Sequence, residues 1–283
     1  WRLIRSHKRR RVPFFPGQMI YISERFFRMK KWLFGGVAAL LVAACATSPT
    51  GRKQLILFGD GEVAQMGLSS FEQLKKEEKV STDKKLTRYV QCVADAVVHE
   101  IPATYKTSIA DWQVVLFESD DVNAFALPGG RIGVYTGLFK AAKNQDQLAA
   151  VIGHEVSHVL ARHSNERLSQ SQLANVGMAA ADSALADSTA RGPAMAALGL
   201  GAQVGILLPY GRVQESEADV LGLQLMASAG FKPEQAIALW QNMAAVTKGK
   251  APPEFLSTHP SGESRIKELQ DQLAVVTPFY NKA

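Results

Sequence analysis

The chain has 283 residues, of which 47% are hydrophobic and 20% are charged, and it contains two cysteines. This composition is close to the globular average and excludes collagen, extended disorder and a disulfide-built scaffold. The net charge of +6 comes from one end, because ten of the 32 basic residues but one of the 26 acidic residues lie in residues 1–44. The rest of the chain is net acidic, so we expect no nucleic-acid partner.

Residues 29–44 have the features of a bacterial secretory signal. Two lysines follow Met29, and the apolar stretch 32–44 then leads to Cys45. A membrane span needs about 20 apolar residues, so this stretch is too short to cross a bilayer comfortably. The sequence Val42-Ala43-Ala44-Cys45 resembles a lipobox, which predicts cleavage before Cys45 and lipidation of that cysteine. An ordinary signal or anchor with an incidental cysteine is the alternative.

These features divide the chain into four parts. Residues 1–28 are interpreted as a non-native upstream extension, because they precede a complete signal. Residues 29–44 are the signal peptide, residues 45–60 a lipidated cysteine with a polar tether, and residues 61–283 one folded domain. The predicted location is the cell envelope, with a lipid anchor in a membrane facing the periplasm, and the Ala46 that follows the cysteine points to the outer membrane.

Hydrophobic periodicity predicts an α+β domain that is mostly helical with a small sheet. Cys92 lies among valines in the second helix, so we expect it to be buried. Residues 171–209 are rich in alanine and glycine. Two interpretations fit this composition, a packed helix and a membrane-contacting segment. The other predicted elements are helices over 61–79, 83–100, 144–170, 213–229, 233–246 and 261–275, and strands over 113–118, 122–127 and 131–135.

The sequence His154-Glu155-Val156-Ser157-His158 contains residue types that can bind a metal ion and transfer a proton. Positions i and i+4 of a helix share a face, so His154 and His158 can bind one metal ion together. Glu155 lies about 100° around the helix from His154, where it can reach a water at the metal without being a ligand. The apolar neighbours predict a buried helix. Chance HExxH sequences whose histidines only form hydrogen bonds in a core are the alternative.

We expect the third metal ligand on a later helix. His163 lies five residues after the second histidine, about 140° around the helix, and is assigned to the surface or to a second layer. Glu215 and Asp219 share a face, which allows a ligand supported by a second carboxylate, whereas Glu217 faces elsewhere. The pattern favours Glu215 over Glu217. A solvated acidic helix start is the alternative.

Several segments in order resemble one known family. They are SPTGRKQL at 48–55, VNAFALPGGRIGVYTGL at 122–138, HEVSH at 154–158, ESEAD at 215–219, and STHP at 257–260 followed by Arg265. The set resembles the HtpX/CAAX-prenyl-protease-like gluzincin metallopeptidases, in their bacterial LoiP/BepA-like lipoprotein branch. The resemblance covers nearly all of residues 45–275. It implies a zincin-type metallopeptidase domain over 61–283, with an edge strand of the sheet above the metal.

The resemblance also implies a set of site residues. One zinc ion would be bound by His154, His158 and Glu215, with Glu155 as general base and Asp219 and Arg265 behind the ligands. The edge strand, with Asn123, Ala124, Phe125 and Ala126, would hold an extended substrate by main-chain bonds, unless it is a plain hairpin. His259 could occupy the fourth zinc position, donate a hydrogen bond to the oxyanion, or only cap the last helix.

The implied activity is zinc-dependent endopeptidase cleavage of polypeptides, as in quality control of misfolded or membrane-associated envelope proteins. The predicted partners are therefore polypeptide substrates and, through the lipid, a membrane. A catalytically silent periplasmic chaperone or outer-membrane assembly factor with the same fold is the alternative. The intact Glu155 argues against this alternative, because it retains the general base.

Overall fold

The computed structural model describes residues 45–105, 111–202, 208–246, 259 and 263–283. Residues Ala46–Ala283 form one compact unit. The predicted upstream extension and signal peptide lie outside the described residues. Among the described helices, none combines the length and the apolar character that crossing a membrane requires.

The fold is α+β and mostly helical, as the sequence predicts. Within the described ranges, short 3-10 helices at Ala103–Tyr105 and Thr136–Lys140 connect larger elements. The strands are β1 (Cys45–Thr47), β2 (Lys53–Leu55), β3 (Gln113–Phe117), β4 (Ala124–Leu127) and β5 (Arg131–Tyr135). The helices are α1 (Asp60–Glu77), α2 (Lys84–His99), α3 (Gln145–Leu160), α4 (His163–Ala184), α5 (Arg191–Ala202), α6 (Leu208–Ser228), α7 (Glu234–Val246) and α8 (Glu263–Tyr280).

Strand β4 lies at an edge of the three-stranded sheet. The order is β3-β5-β4, with β5 parallel to β3 and antiparallel to β4. The Tyr135 N–H donates to the Asn123 carbonyl at 3.1 Å, so Asn123 and, two residues on, Phe125 belong to the hydrogen-bonded pairs with β5. The main-chain groups of Ala124 and Ala126 therefore point away from β5, and their N–H groups donate to Asn123 Oδ1 at 2.9 Å and to Glu155 Oε2 at 3.2 Å.

Helix α3 is the centre of the fold. Every residue from Gln147 to Ser157 is buried, and the helix packs against α2, α6, α7 and strand β4. Its start is fixed by Asn144, whose side-chain oxygen accepts from the Gln147 N–H at 2.9 Å. The buried helix predicted around the two histidines is thus confirmed.

The single helix predicted over 144–170 is wrong, because the chain turns between α3 and α4. Arg162 has a φ of 59°, in the left-handed region, which ends one helix and starts the next. Tertiary contacts hold this turn: the Ala161 carbonyl accepts from Gln54 Nε2 at 2.6 Å, and the Arg162 side chain pairs with Asp60. Periodicity could not reveal the turn, because no glycine or proline marks it.

Three further differences concern local placement. Cys92 is exposed rather than buried, because the packed face of α2 runs through Val90, Val93 and Val97 on the other side. The helix predicted from 213 begins at Leu208, and the alanine-rich stretch before it is helical in α4 and α5. The last helix continues to Tyr280 past Pro278, whose missing N–H costs one bond near the helix end.

The segment predicted as a tether packs against the domain. Strands β1 and β2 pair as a hairpin, and both Ser48 and Gln54 are buried. After the hairpin, the Leu57 N–H donates to the hydroxyl of Ser169 on α4 at 2.8 Å. The residues after Ala46 are therefore held by specific contacts.

Helices α3 and α6 cross with their backbones in contact. A methyl group on Gly222 would lie 2.7 Å from the His154 nitrogen, and one on Gly153 would lie 2.8 Å from the Gly222 carbonyl oxygen. Real Cβ atoms do not approach so closely. Only glycine at both positions allows the two helices to reach this separation.

We expect Gly222→Ala to destabilise the protein by about 1–3 kcal/mol, because the added methyl group forces α6 away from α3. Urea denaturation followed by circular dichroism measures this change. Gly177→Ala is the matched control, since Gly177 lies inside α4 with open space around it. It should stabilise by about 0.5–1 kcal/mol through helix propensity. Equal effects of the two substitutions would contradict the close-packing interpretation.

Candidate metal centre

The two histidines of α3 face Glu215 of α6. The Nε2 atoms of His154 and His158 are 3.1 Å apart, and the Glu215 carboxylate lies 3.3 Å from the first and 3.4 Å from the second. With His259, these residues bring one donor atom each within 4.8 Å of one another. Two imidazoles and a carboxylate gathered at one point form a donor set that suits a divalent transition metal.

Close helix packing brings the third candidate ligand to the histidines. Gly153 and His154 are adjacent on α3, and both contact Gly222, which lies two helical turns after Glu215 on α6. The α3–α6 crossing therefore places Glu215, rather than Glu217, over the two histidines, in agreement with the face predicted from sequence.

A carboxylate and an arginine support His154 from behind. Asp219 Oδ1 lies 3.0 Å from His154 Nδ1, leaving Nε2 directed at the cluster. Arg265 donates to both Asp219 oxygens, at 2.5 and 2.7 Å, and its guanidinium lies 3.7 Å from the centre of the Trp240 ring. Both residues predicted to lie behind the ligands are thus placed there, and they fix the orientation of the His154 ring.

The cluster attracts positive charge. Burial opposes the charged form of His154, but its hydrogen bonds with Asp219 and Glu215 outweigh burial and raise the pKa of His154 to about 9. Burial would raise the pKa of Glu215, but hydrogen bonds from His154 and His259 hold that pKa far below its usual value. Burial, and then the charge of His154, hold the pKa of His158 well below its usual value. The site therefore offers an ionised carboxylate and a neutral His158, and His154 has to release its proton when a metal binds.

Glu155 lies between the cluster and the edge strand. It is buried, its Oε2 accepts from the Ala126 N–H at 3.2 Å, and its Oε1 has no hydrogen-bond partner among the described residues. His259 Nε2 lies 3.4 Å from Oε1. Burial is the largest influence on the pKa of Glu155, and it raises this pKa. A buried carboxylate with one free oxygen and a raised pKa suits a general base.

His259 is part of the cluster. Its Nδ1 lies 2.8 Å from Glu215 Oε2 and 3.2 Å from His154 Nε2, and the residue is 8% exposed. The interpretation as a surface cap is therefore wrong, because the imidazole points into the site. The flanking residues of the predicted STHP segment lie outside the described residues.

Two residues that sequence analysis set aside also approach the site. His163 is buried, and its Nδ1 lies 2.8 Å from His158 Nδ1, which makes it a second-layer histidine. Glu217 is buried too, and lies 3.1 Å from the far nitrogen of His163. The helical spacing correctly placed Glu217 off the ligand face. It could not show that this other face also points into the protein.

A cavity of about 640 Å³ adjoins the cluster on the His158 side. Its walls come from the end of α3, the turn after β4 and the start of β3, and include Trp112, Pro128, Arg131, His158 and Arg162. The cavity therefore extends from His158 to the turn that follows β4.

A buried HExxH helix, a glutamate from a following helix and an edge strand beside the general-base candidate together define the zincin class of metallopeptidases. The chain belongs to peptidase family M48, whose family model matches residues 84–273, more than half of the sequence. The match includes both histidines, Glu155, Glu215, Asp219 and Arg265.

Curated relatives agree with this membership. The chain is 36% identical over 181 residues to mitochondrial metalloendopeptidase OMA1 of Schizosaccharomyces pombe, covering 62% of this chain and 51% of that protein. It is 32% identical over 273 residues to the OMA1 of Bos taurus, covering 88% and 51%. It is 29% identical over 225 residues to the beta-barrel assembly-enhancing protease of Escherichia coli, covering 77% and 45%. The chain thus spans about half the length of these relatives.

We expect Glu215→Ala to weaken metal binding by more than the roughly 100-fold that loss of an outer-shell partner can cause, because a direct ligand is removed. Elemental analysis of the purified protein measures the bound metal. Glu268→Ala is the control, because Glu268 is exposed on α8 and accepts from the hydroxyl of Ser216, the residue next to Glu215 on α6. Full metal content in Glu215→Ala would contradict the proposed ligand set.

Proposed function

We propose that this protein is a zinc-dependent metalloendopeptidase that cleaves polypeptides of the cell envelope. The observation that carries the proposal is the convergence of His154, His158 and Glu215. Beside them lies Glu155, which has one carboxylate oxygen without a hydrogen-bond partner among the described residues. Membership of family M48 supports the same class of reaction. The specific metal, the substrates and the location are parts of the proposal.

Zinc fits this donor set best. Two neutral imidazoles and one carboxylate are a known catalytic zinc combination, which leaves one position open. When bound, zinc supplies Lewis acidity that polarises a carbonyl and lowers the pKa of water towards about 7. Glu155 accepts the proton of the attacking water on its unbonded Oε1 and later delivers it to the leaving amine. The raised pKa of Glu155 suits both transfers.

The edge strand provides the substrate platform in this proposal. Asn123 and Phe125 bond to β5, so the main-chain groups of Ala124 and Ala126 point outward, and an extended peptide that pairs with them would replace Asn123 Oδ1 as the partner of the Ala124 N–H. The Ala126 N–H now donates to Glu155. Main-chain pairing is independent of substrate sequence, which suits a protease that acts on many unfolded proteins. It also places the scissile bond beside the base.

His259 acts as a latch. Its Nδ1 is as close to Glu215 and His154 as a ligand of the same ion would be, so it can take the fourth metal position and exclude water. An oxyanion donor would instead stand away from the ligands, facing the substrate carbonyl. Withdrawal of the His259 side chain from the cluster would open the site.

The predicted lipoprotein signal supports a location in the cell envelope, with Cys45 as the lipidated residue and a membrane as the second partner. The name of the Escherichia coli relative, beta-barrel assembly-enhancing protease, supports a role in envelope quality control. The competing function, a catalytically silent chaperone, predicts no need for Glu155. The preserved geometry around Glu155 favours the protease.

We expect Glu155→Gln to lower peptidase activity by about 10²–10⁴-fold while zinc stays bound, because the base is lost and the ligands are kept. Cleavage of casein, with and without a metal chelator, measures activity, and elemental analysis measures zinc. Glu118→Gln, an exposed residue paired with Lys79, is the matched control. Wild-type activity in the zinc-loaded variant would mean that Glu155 is not the base.

We expect His259→Ala to raise peptidase activity, because the latch is removed. An increase of roughly tenfold would correspond to a site that is open about a tenth of the time. Initial rates at equal zinc content make the comparison. Loss of activity would instead assign His259 to the oxyanion. An unchanged rate would leave it without a role in the reaction.

A further inference from the structure

The turn of the N-terminal hairpin presents an arginine to the domain. The Gly51 N–H donates to the Ser48 carbonyl at 2.9 Å, and the Arg52 N–H donates to the Ser48 hydroxyl at 3.1 Å. Gly51 has a φ of 89°, a conformation that residues with a side chain rarely adopt. The turn therefore fixes the point from which the Arg52 side chain reaches inward.

Arg52 joins two buried glutamates from different helices. Its guanidinium donates to both oxygens of Glu166 on α4, each at 2.7 Å. It also donates to Oε2 of Glu217 on α6, at 3.0 and 3.1 Å. The two glutamate side chains are 0% and 3% exposed. Buried carboxylates this close need a shared cation, because an unpaired buried charge is strongly unfavourable.

Glu217 connects Arg52 to the metal centre through His163. Glu217 Oε2 is 3.1 Å from His163 Nε2, and His163 Nδ1 is 2.8 Å from His158 Nδ1. His158 turns its Nε2 towards Glu215 and His154, so a metal there would leave the proton on Nδ1. His158 then donates to His163, and His163 donates to Glu217. Each proton in this chain has one defined position.

The two histidines of α3 are therefore supported in parallel ways. Behind His154 stands a carboxylate held by an arginine, Asp219 with Arg265. Behind His158 there is a similar carboxylate–arginine pair, Glu217 with Arg52. This pair contacts His158 indirectly, through the His163 ring. The Thr50 hydroxyl also donates to Glu217, at 2.6 Å, which holds its second oxygen. Without Arg52, the hydrogen-bonded series from His158 through His163 would end in two buried carboxylates that repel each other.

We propose that Arg52, Glu217 and His163 are positioning residues of the metal centre. Arg52 fixes Glu217, and Glu217 acts through His163 to set the tautomer and orientation of the His158 ring. The hairpin directly after Cys45 is then a working part of the metal site. This inference rests on the proposed function, because it requires a metal ion bound by His154, His158 and Glu215.

The test compares zinc affinities of the full chain. Zinc-loaded protein is titrated with a chromogenic chelator, for the wild type and for Arg52→Met and His163→Leu. Loss of an outer-shell partner typically weakens metal binding by about 10–100-fold, and we expect this for both variants. Arg191→Met is the matched control, because Arg191 makes a similar two-bond pair with Asp182 on the surface. Its affinity should equal that of the wild type.

Further variants separate positioning from folding. His163→Gln keeps one acceptor for His158 and one donor for Glu217, so it should restore most of the lost affinity. Arg52→Met combined with His163→Leu should bind zinc no more weakly than His163→Leu alone, because both act along one chain. The visible spectrum of the cobalt-substituted protein should change in Arg52→Met, as the His158 ring shifts. If Arg52→Met does not fold, Arg52→Lys is measured instead, because lysine keeps the positive charge but cannot form the two parallel hydrogen bonds of the guanidinium group.

Unchanged zinc affinity in folded Arg52 and His163 variants would overturn the proposal, even if the unfolding temperature fell. A Gln variant as weak as the Leu variant would also overturn it. Either result leaves the metallopeptidase assignment standing, provided that the wild type binds zinc. A wild-type chain that binds no zinc would instead remove both the proposed function and this inference.

Discussion

Contact between the backbones of α3 and α6 is the constraint on which the site depends. Gly153 and Gly222 allow the two helices to touch without side chains between them. The separation is small enough for a carboxylate on α6 to meet two imidazoles on α3. A helix pair held apart by larger residues would keep the same sequence of ligands, yet the donor atoms could not converge on one ion.

Buried charge is the second constraint, and the protein handles it by pairing. The metal centre is surrounded by carboxylates that would be unfavourable in a core if each stood alone. Two arginines from distant parts of the chain each hold two such carboxylates: Arg52, before α1, pairs with Glu166 and Glu217, and Arg265, on α8, pairs with Asp219 and Glu215. Both ends of the chain therefore contribute to a site whose ligands lie on α3 and α6. This arrangement makes the fold and the metal centre depend on each other.

The sheet and the metal centre share a boundary at Glu155. One Glu155 oxygen accepts from the edge strand, and the other faces His259 and the ligand cluster. The strand offers only alternate residues for pairing, because Asn123 and Phe125 are engaged by β5. The Phe125 side chain packs in an aromatic group with Phe71, Phe117 and Tyr135. The strand is thus held by β5 on one side and by Glu155 on the other.

Local features could be predicted from the sequence: the buried HExxH helix, the face that Glu215 shares with Asp219, and the strand positions. These follow from helix and strand periods, which depend only on neighbouring residues. Tertiary structure alone decided the turn at Arg162, the burial of Glu217 and the place of Arg52. Arg52 lies 165 residues before Glu217, and which buried charge it meets depends on how α4 and α6 pack, which periodicity does not encode.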